Sequence, residues 1–257
     1  MHLFKTIDRD AELYRWVVKH VPKSHIYVEP LAGAISLFWF MLKPFPSVVI
    51  NDPYVELVWI YRTLQDIDKY NAIIEKLAKT PFSQDEFNQA VKMIKNPNSD
   101  DINKTWAYFV IHNEYLFKLK KGDPEFENFL NNLSNDLPLR LKLFVYWRDR
   151  LSSAQIDCVD AMKCIKYWDT PDTVFYIDPP YDLDAEFYKN LVDTLLSVNG
   201  KVLLFGYEQP AYQGLLDSGW QKLHNDTLHC NDVLYLNFRK CDTSGNIEKQ
   251  KVELFDL

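Results

Sequence analysis

Asp178-Pro179-Pro180-Tyr181 is the stretch whose residue types could do chemistry. An exocyclic amino group conjugated to a ring is a poor nucleophile, because its lone pair is delocalised. A carboxylate and a proline carbonyl can accept its two N–H hydrogens and draw the nitrogen toward a tetrahedral, nucleophilic state. A neighbouring tyrosine ring can stack on a base. The apolar run Val174-Phe175-Tyr176-Ile177 precedes the acid and reads as a buried strand. Consecutive prolines donate no backbone hydrogen bond and fix φ, so the strand must stop at Asp178. An ordinary strand-ending turn accounts for Asp-Pro-Pro alone; the buried strand before it and the tyrosine after it make the pattern more specific. In open α/β sheets, the carboxyl ends of the strands are where ligands bind.

Other elements must position this turn. Ile26-Tyr27-Val28 is a short strand, followed by the small-residue turn Glu29-Pro30-Leu31-Ala32-Gly33-Ala34 and a helix from Ser36 to Leu42. Small residues let a backbone approach a ligand, and a helix N-terminus offers N–H groups, although a plain strand-to-helix turn uses the same residues. Val48-Val49-Ile50 is the next strand and ends in Asn51-Asp52. An acid about 20 residues past a glycine turn commonly takes the ribose hydroxyls of an adenosine cofactor. Capping the next helix, where Leu57, Ile60, Tyr61 and Leu64 share a face, is its other possible use. Strand and helix alternate again after Arg150. Gln155–Asp160 is a strand with an acid at its end, Tyr188, Leu191, Val192 and Leu195 line a helix, and Lys201–Tyr207 is a buried strand. Asp232–Phe238 reads as an antiparallel edge strand. The fold class is therefore α/β, with Asp52, Asp160 and Asp178 on one sheet edge. A cofactor with ribose hydroxyls and an amino-bearing base needs such acceptors.

Strand signals vanish between residues 66 and 148, and Phe87, Ala90, Val91 and Ile94 repeat at helical spacing. The expected organisation is a scaffold domain of residues 1–65 and 149–257 interrupted by a helical insertion, 66–148. Residues 66–149 hold 12 Lys+Arg against 13 Asp+Glu, leaving 17 against 23 elsewhere, so the scaffold carries the acid. Lys118, Lys120 and Lys121 follow the aromatic run Trp106–Tyr115. Phosphate contact is one use for them, and a solvated helix end complementing the dipole is another. A net charge of −7 argues against a strongly basic nucleic-acid binder without excluding one, because the field follows the distribution of charge. The 257 residues are 47% hydrophobic and contain no apolar run long enough to span a membrane. The N-terminus lacks a signal-peptide layout. Cys158, Cys164, Cys230 and Cys241 form no C-x-x-C pair and read as free thiols in a reducing cytoplasm. His224, His229 and Cys230 lack a fourth ligand at useful spacing, so no metal site is expected.

Taken in order, these stretches resemble the Dam-like, DPPY-type family of DNA adenine-N6 methyltransferases. Tyr27-Val28-Glu29-Pro30-Leu31-Ala32-Gly33 resembles the family's YVEPFAGGG, and Ile50–Leu57 resembles xNDxNxEL. Ile156–Ala161 resembles the strand that touches the cofactor adenine, and Tyr176–Tyr181 matches YxDPPY. Gly206-Tyr207, with Tyr212 and Gly219-Trp220, resembles the segment that follows. The resemblance implies a Rossmann-like sheet, S-adenosylmethionine as methyl donor, and double-stranded DNA whose target adenine is flipped out to expose its amino group. It implies catalytic roles for Asp178, Pro179, Pro180 and Tyr181. It implies cofactor contacts from Glu29, Pro30, Ala32, Gly33, Asp52, Asp160, Ala161 and Asp178, and target recognition by the insertion, in which the basic cluster Lys118, Lys120 and Lys121 is the candidate for nucleic-acid contact. A cytoplasmic protein of bacterial, archaeal or phage origin, in restriction–modification or self-marking, is the expected setting. Two departures stand out. Phe4–Arg9 lacks the glycines of the family's KWAGGK element, and Ala34 and Ile35 replace the last two glycines of the donor turn. Methylation of RNA or another amino group, and a catalytically weakened DNA-binding or regulatory relative, are the alternatives.

Overall fold

The computed structural model describes residues 11–33, 35–41, 45–81, 83–112, 148–181, 183–225 and 232–239. Its centre is a seven-stranded sheet of order β3-β2-β1-β4-β5-β7-β6. The strands are β1 Ile26–Glu29, β2 Ser47–Asn51, β3 Gln155–Asp157, β4 Thr173–Ile177, β5 Lys201–Tyr207, β6 Gln221–His224 and β7 Asp232–Leu236. β1 to β5 are mutually parallel, and β7 runs antiparallel to both its neighbours. The chain lays β2 and β3 on one side of β1, then returns to place β4 on the other. This is a Rossmann-like α/β fold, and the β1–β4 junction is its topological switch point.

β4 is buried along its whole length, as the run Thr-Val-Phe-Tyr-Ile anticipates. Its side chains alternate between two cores. Val174 and Tyr176 join Tyr27, Ile50, Leu203, Phe205, Leu234 and Leu236 on one face. Phe175 and Ile177 join Val28, Val49, Val202, Leu204, Val233 and Tyr235 on the other. Burying each such side chain contributes roughly 1.5–3 kcal/mol, which makes this sheet the rigid part of the molecule. On the first face pack α1 (Ala11–Val18), α2 (Ser36–Phe40), α3 (Val55–Gln65), α4 (Ile67–Lys79), α5 (Gln84–Ile94) and α6 (Asp101–His112). α7 (Ala161–Trp168), α8 (Ala185–Leu195) and α9 (Gln213–Asp217) cover the second.

The described part of the expected insertion, 66–112, is helical. Tyr70, Ile73, Ala90, Trp106, Ala107, Phe109 and Val110 enter the same core as the strands. Asp66 starts α4 by accepting the backbone N–H groups of Asp68 and Lys69, and Ser83 starts α5 in the same way through Glu86. Two expectations need correction. β7 is interior, with β6 as the edge, because the backbone of β7 pairs with β5 on one side and with β6 on the other. β3 ends at Asp157, so Asp160 lies beyond it, at the start of α7. Cys158 and Cys164 are free thiols, and Cys230 and Cys241 lie outside the described residues.

Candidate active site

Asp178 is half-buried, immediately past the end of β4. The Tyr176 hydroxyl lies 3.5 Å from its Oδ2, at the outer limit of a hydrogen bond. The prolines that end the strand are held from α8, where the Tyr188 hydroxyl donates to the Pro180 carbonyl at 2.8 Å. Tyr188 is in turn packed edge-on against Tyr212, with centroids 5.9 Å apart. The turn is thereby tied to the second core. Tyr181 projects from it, 40% exposed.

The turn after β1 faces this strand end. Glu29 is only 1% exposed. Its Oε1 accepts from the Tyr27 hydroxyl at 2.5 Å and from the Phe38 backbone N–H at 3.1 Å. Burial pushes its carboxyl up to about 8; these two hydrogen bonds oppose the shift, Asp178 adds to it, and Arg150 opposes it. The Arg150 guanidinium lies 4.3 Å from the Phe38 ring centroid.

Asp52 ends β2 and is also buried, which raises its carboxyl above the ordinary value. Its Oδ2 accepts the Gly33 N–H at 2.9 Å and its Oδ1 the Tyr54 N–H at 2.8 Å. One carboxylate therefore shapes both the turn after β1 and the entry to α3. A carboxylate has about four acceptor positions, so two remain for hydroxyl groups. Gly33 has φ +52°, and a Cβ placed there would meet nothing within 4 Å among the described residues. Its carbonyl accepts from the Tyr61 hydroxyl on α3. Ile35 also has positive φ, +46°, although it is β-branched and fully buried.

Asp160 is exposed, and its Oδ1 caps α7 through the Lys163 N–H at 3.0 Å. Asn51 joins it to the rest of the site. The Asn51 amide donates to the Pro30 carbonyl at 2.8 Å and the Val159 carbonyl at 3.0 Å, and accepts from the Val159 N–H at 2.9 Å. Glu29, Pro30, Ala32, Gly33, Asp52, Asp160, Ala161 and Asp178 thus gather along the carboxyl edge of β1 to β4. Lys118, Lys120 and Lys121 lie outside the described residues. Sequence reasoning did not assign roles to Asn51, Tyr61, Arg150 or Tyr188; only a buried asparagine closing an apolar strand gave a signal. It also passed over the apolar side chains exposed along this edge, Tyr54 at 60% and Val159 at 44%.

Open space at Gly33, a buried acid with acceptor positions to spare, and exposed apolar groups beside Asp160 suit an adenosine-bearing cofactor.

Fold and site together define a Rossmann-like protein with acids ranged along one strand edge. The family model for D12 class N6 adenine-specific DNA methyltransferases matches residues 11–197, and the chain belongs to that family. Among solved structures it is similar to the putative methyltransferase yhhF from Escherichia coli, with TM-score 0.36 and 12% identity over 91% of this chain and 88% of that one, too distant to bear on activity. No match is found among curated proteins.

Proposed function

We propose that this protein transfers a methyl group from S-adenosylmethionine to the N6 amino group of an adenine flipped out of double-stranded DNA. The observation that carries the reading is Asp178, half-buried at the end of a fully buried central strand, on a turn pinned by Tyr188 and bearing an exposed aromatic ring. Pro30, Ala32, Gly33, Asp52, Asp160 and Ala161 would hold the donor, with the buried Glu29 bracing the turn from behind rather than touching it; the sulfonium of the donor would supply an electrophilic methyl group. The Asp178 carboxylate and the Pro179 carbonyl accept the two amino hydrogens, which localises the nitrogen lone pair. Tyr181 stacks on the base and keeps the amino group against those acceptors. After transfer, the surplus proton leaves along the Asp178 hydrogen bond. Much of the rate gain comes from alignment.

Labelled S-adenosylmethionine offered to unmethylated duplex DNA and to RNA tests this. DNA adenine should be labelled by the wild-type protein. Asp178→Ala should lower the rate by roughly 100-fold or more while the fold stays intact. Donor binding without labelling of any DNA would overturn the reading, and labelling of RNA alone would move the substrate.

A further inference from the structure

We infer that Tyr207 is a positioning residue for Tyr181, setting the ring plane on which the target base stacks. The inference rests on the proposed adenine methylation. β4 and β5 are parallel neighbours with Ile177 opposite Leu204. Tyr181 and Tyr207 therefore leave the sheet side by side, at the same edge as Asp178. Their ring centroids are 4.4 Å apart, with an interplanar angle of 41°. At that separation the rings touch, and no base fits between them. Tyr207 backs Tyr181 rather than sandwiching the base with it.

The backbone of β5 stands off from the ring. Gly206 has φ +145°, and a Cβ there would lie 3.9 Å from Tyr181 Cε1. The Tyr181 ring thus lies beside Gly206 at the end of β5, with room for a methyl group between them, and Tyr207 is the group it touches. Both rings are substantially exposed, 40% and 43%, so the pair lies at the surface and is not core filling. An aromatic side chain left to rotate would lose rotamer freedom each time a base stacked on it. Contact with Tyr207 removes that cost beforehand.

What this requires of residue 207 is a flat ring, not merely volume. Single-turnover methylation of unmethylated duplex DNA with labelled S-adenosylmethionine reads the effect. Tyr207→Phe should stay within about twofold of wild type, whereas Tyr207→Leu should slow transfer roughly 2- to 10-fold. Donor affinity by calorimetry and melting temperature should be unchanged in both. In a Tyr181→Ala background, Tyr207→Leu should cause no further loss, because the ring it positions is gone. A full loss in that background, or wild-type speed in Tyr207→Leu, overturns the inference. If Tyr181→Ala itself transfers at wild-type speed, Tyr181 is not the stacking ring and this inference fails while adenine methylation stands; if the wild-type protein labels no DNA, the adenine reading has failed and takes this inference with it.

Discussion

Glu29 and Asp178 close adjacent strands, yet the fold treats the two carboxyl groups differently. Glu29 is shut away from solvent and holds its proton up to about pH 8, chiefly because burial penalises the charged form. Near neutrality it is therefore largely uncharged, and Asp178 is spared a like charge beside it. The same shift sets a pH dependence of stability. An unfolded chain releases the Glu29 proton near its ordinary value of 4.5, and the folded chain only near 8. Between those values the folded state binds more protons, so this contribution is complete below 4.5 and fades as pH rises through 8. Glu29→Gln retains the oxygen that accepts from Tyr27 and Phe38 but cannot titrate. Its melting temperature should change less between pH 5 and pH 8.5 than that of the wild type; equal slopes would exclude Glu29 as the responsible group. The sequence placed Asp52 and Asp178 at strand ends, because each follows an apolar run too uniform to be anything but a strand. It could not show Glu29 turned inward, since an acid ahead of a proline turn reads equally well as a ligand. Nor could it pair Asn51 with Val159, 108 residues away.

The donor turn is the element where local sequence and fold conflict most. Gly33 and Ile35 both adopt positive φ, and Ile35 does so with a fully buried β-branched side chain. That conformation costs roughly 1–2 kcal/mol for an L-residue, and the surrounding packing must hold it. Ile35→Gly would relieve the strain but empty a buried site worth about 2–5 kcal/mol, so chemical denaturation should report a net loss of stability. Gly33→Ala separates stability from binding. Among the described residues nothing lies within 4 Å of the added methyl, so stability should fall by only about 1 kcal/mol, from backbone strain. The methyl would stand in the space proposed for the donor, and S-adenosylmethionine affinity should fall roughly tenfold or more by calorimetry. Unchanged affinity would put the donor elsewhere. At this scale β1, β2, β4 and β5 were readable because they are short, apolar and sharply ended. β6 was not: Gln-Lys-Leu-His is a strand only because β7 lies beside it. β7 reads as an edge from sequence because the strand that pairs with its outer side, β6, carries no strand signal of its own.

Across the whole molecule, one sheet separates two cores, and the site lies along the edge where five parallel strands end. α4, α5 and α6 share a core with β1, β2 and β4, the strands that lead to Asp178 and its neighbours. Among the described residues, no helix is long and apolar enough to cross a membrane. Charge sets the remaining problem. With a net charge of −7, the chain as a whole repels a polyanion, and the acid excess lies outside residues 66–149. The proposed DNA substrate would therefore have to be met by a local cationic surface, and we propose Lys118, Lys120 and Lys121 as part of it. Removing a single lysine–phosphate ion pair should lower the slope of log affinity against log salt by about 0.9. Replacing all three lysines with glutamine should lower that slope by up to nearly 3 and weaken binding at low salt for all duplex sequences alike. Donor affinity should not change. Fluorescence anisotropy of a labelled duplex, titrated at several salt concentrations, measures the slope. An unchanged slope would return these lysines to the role of solvated charges and leave the cationic surface to be sought elsewhere on the chain.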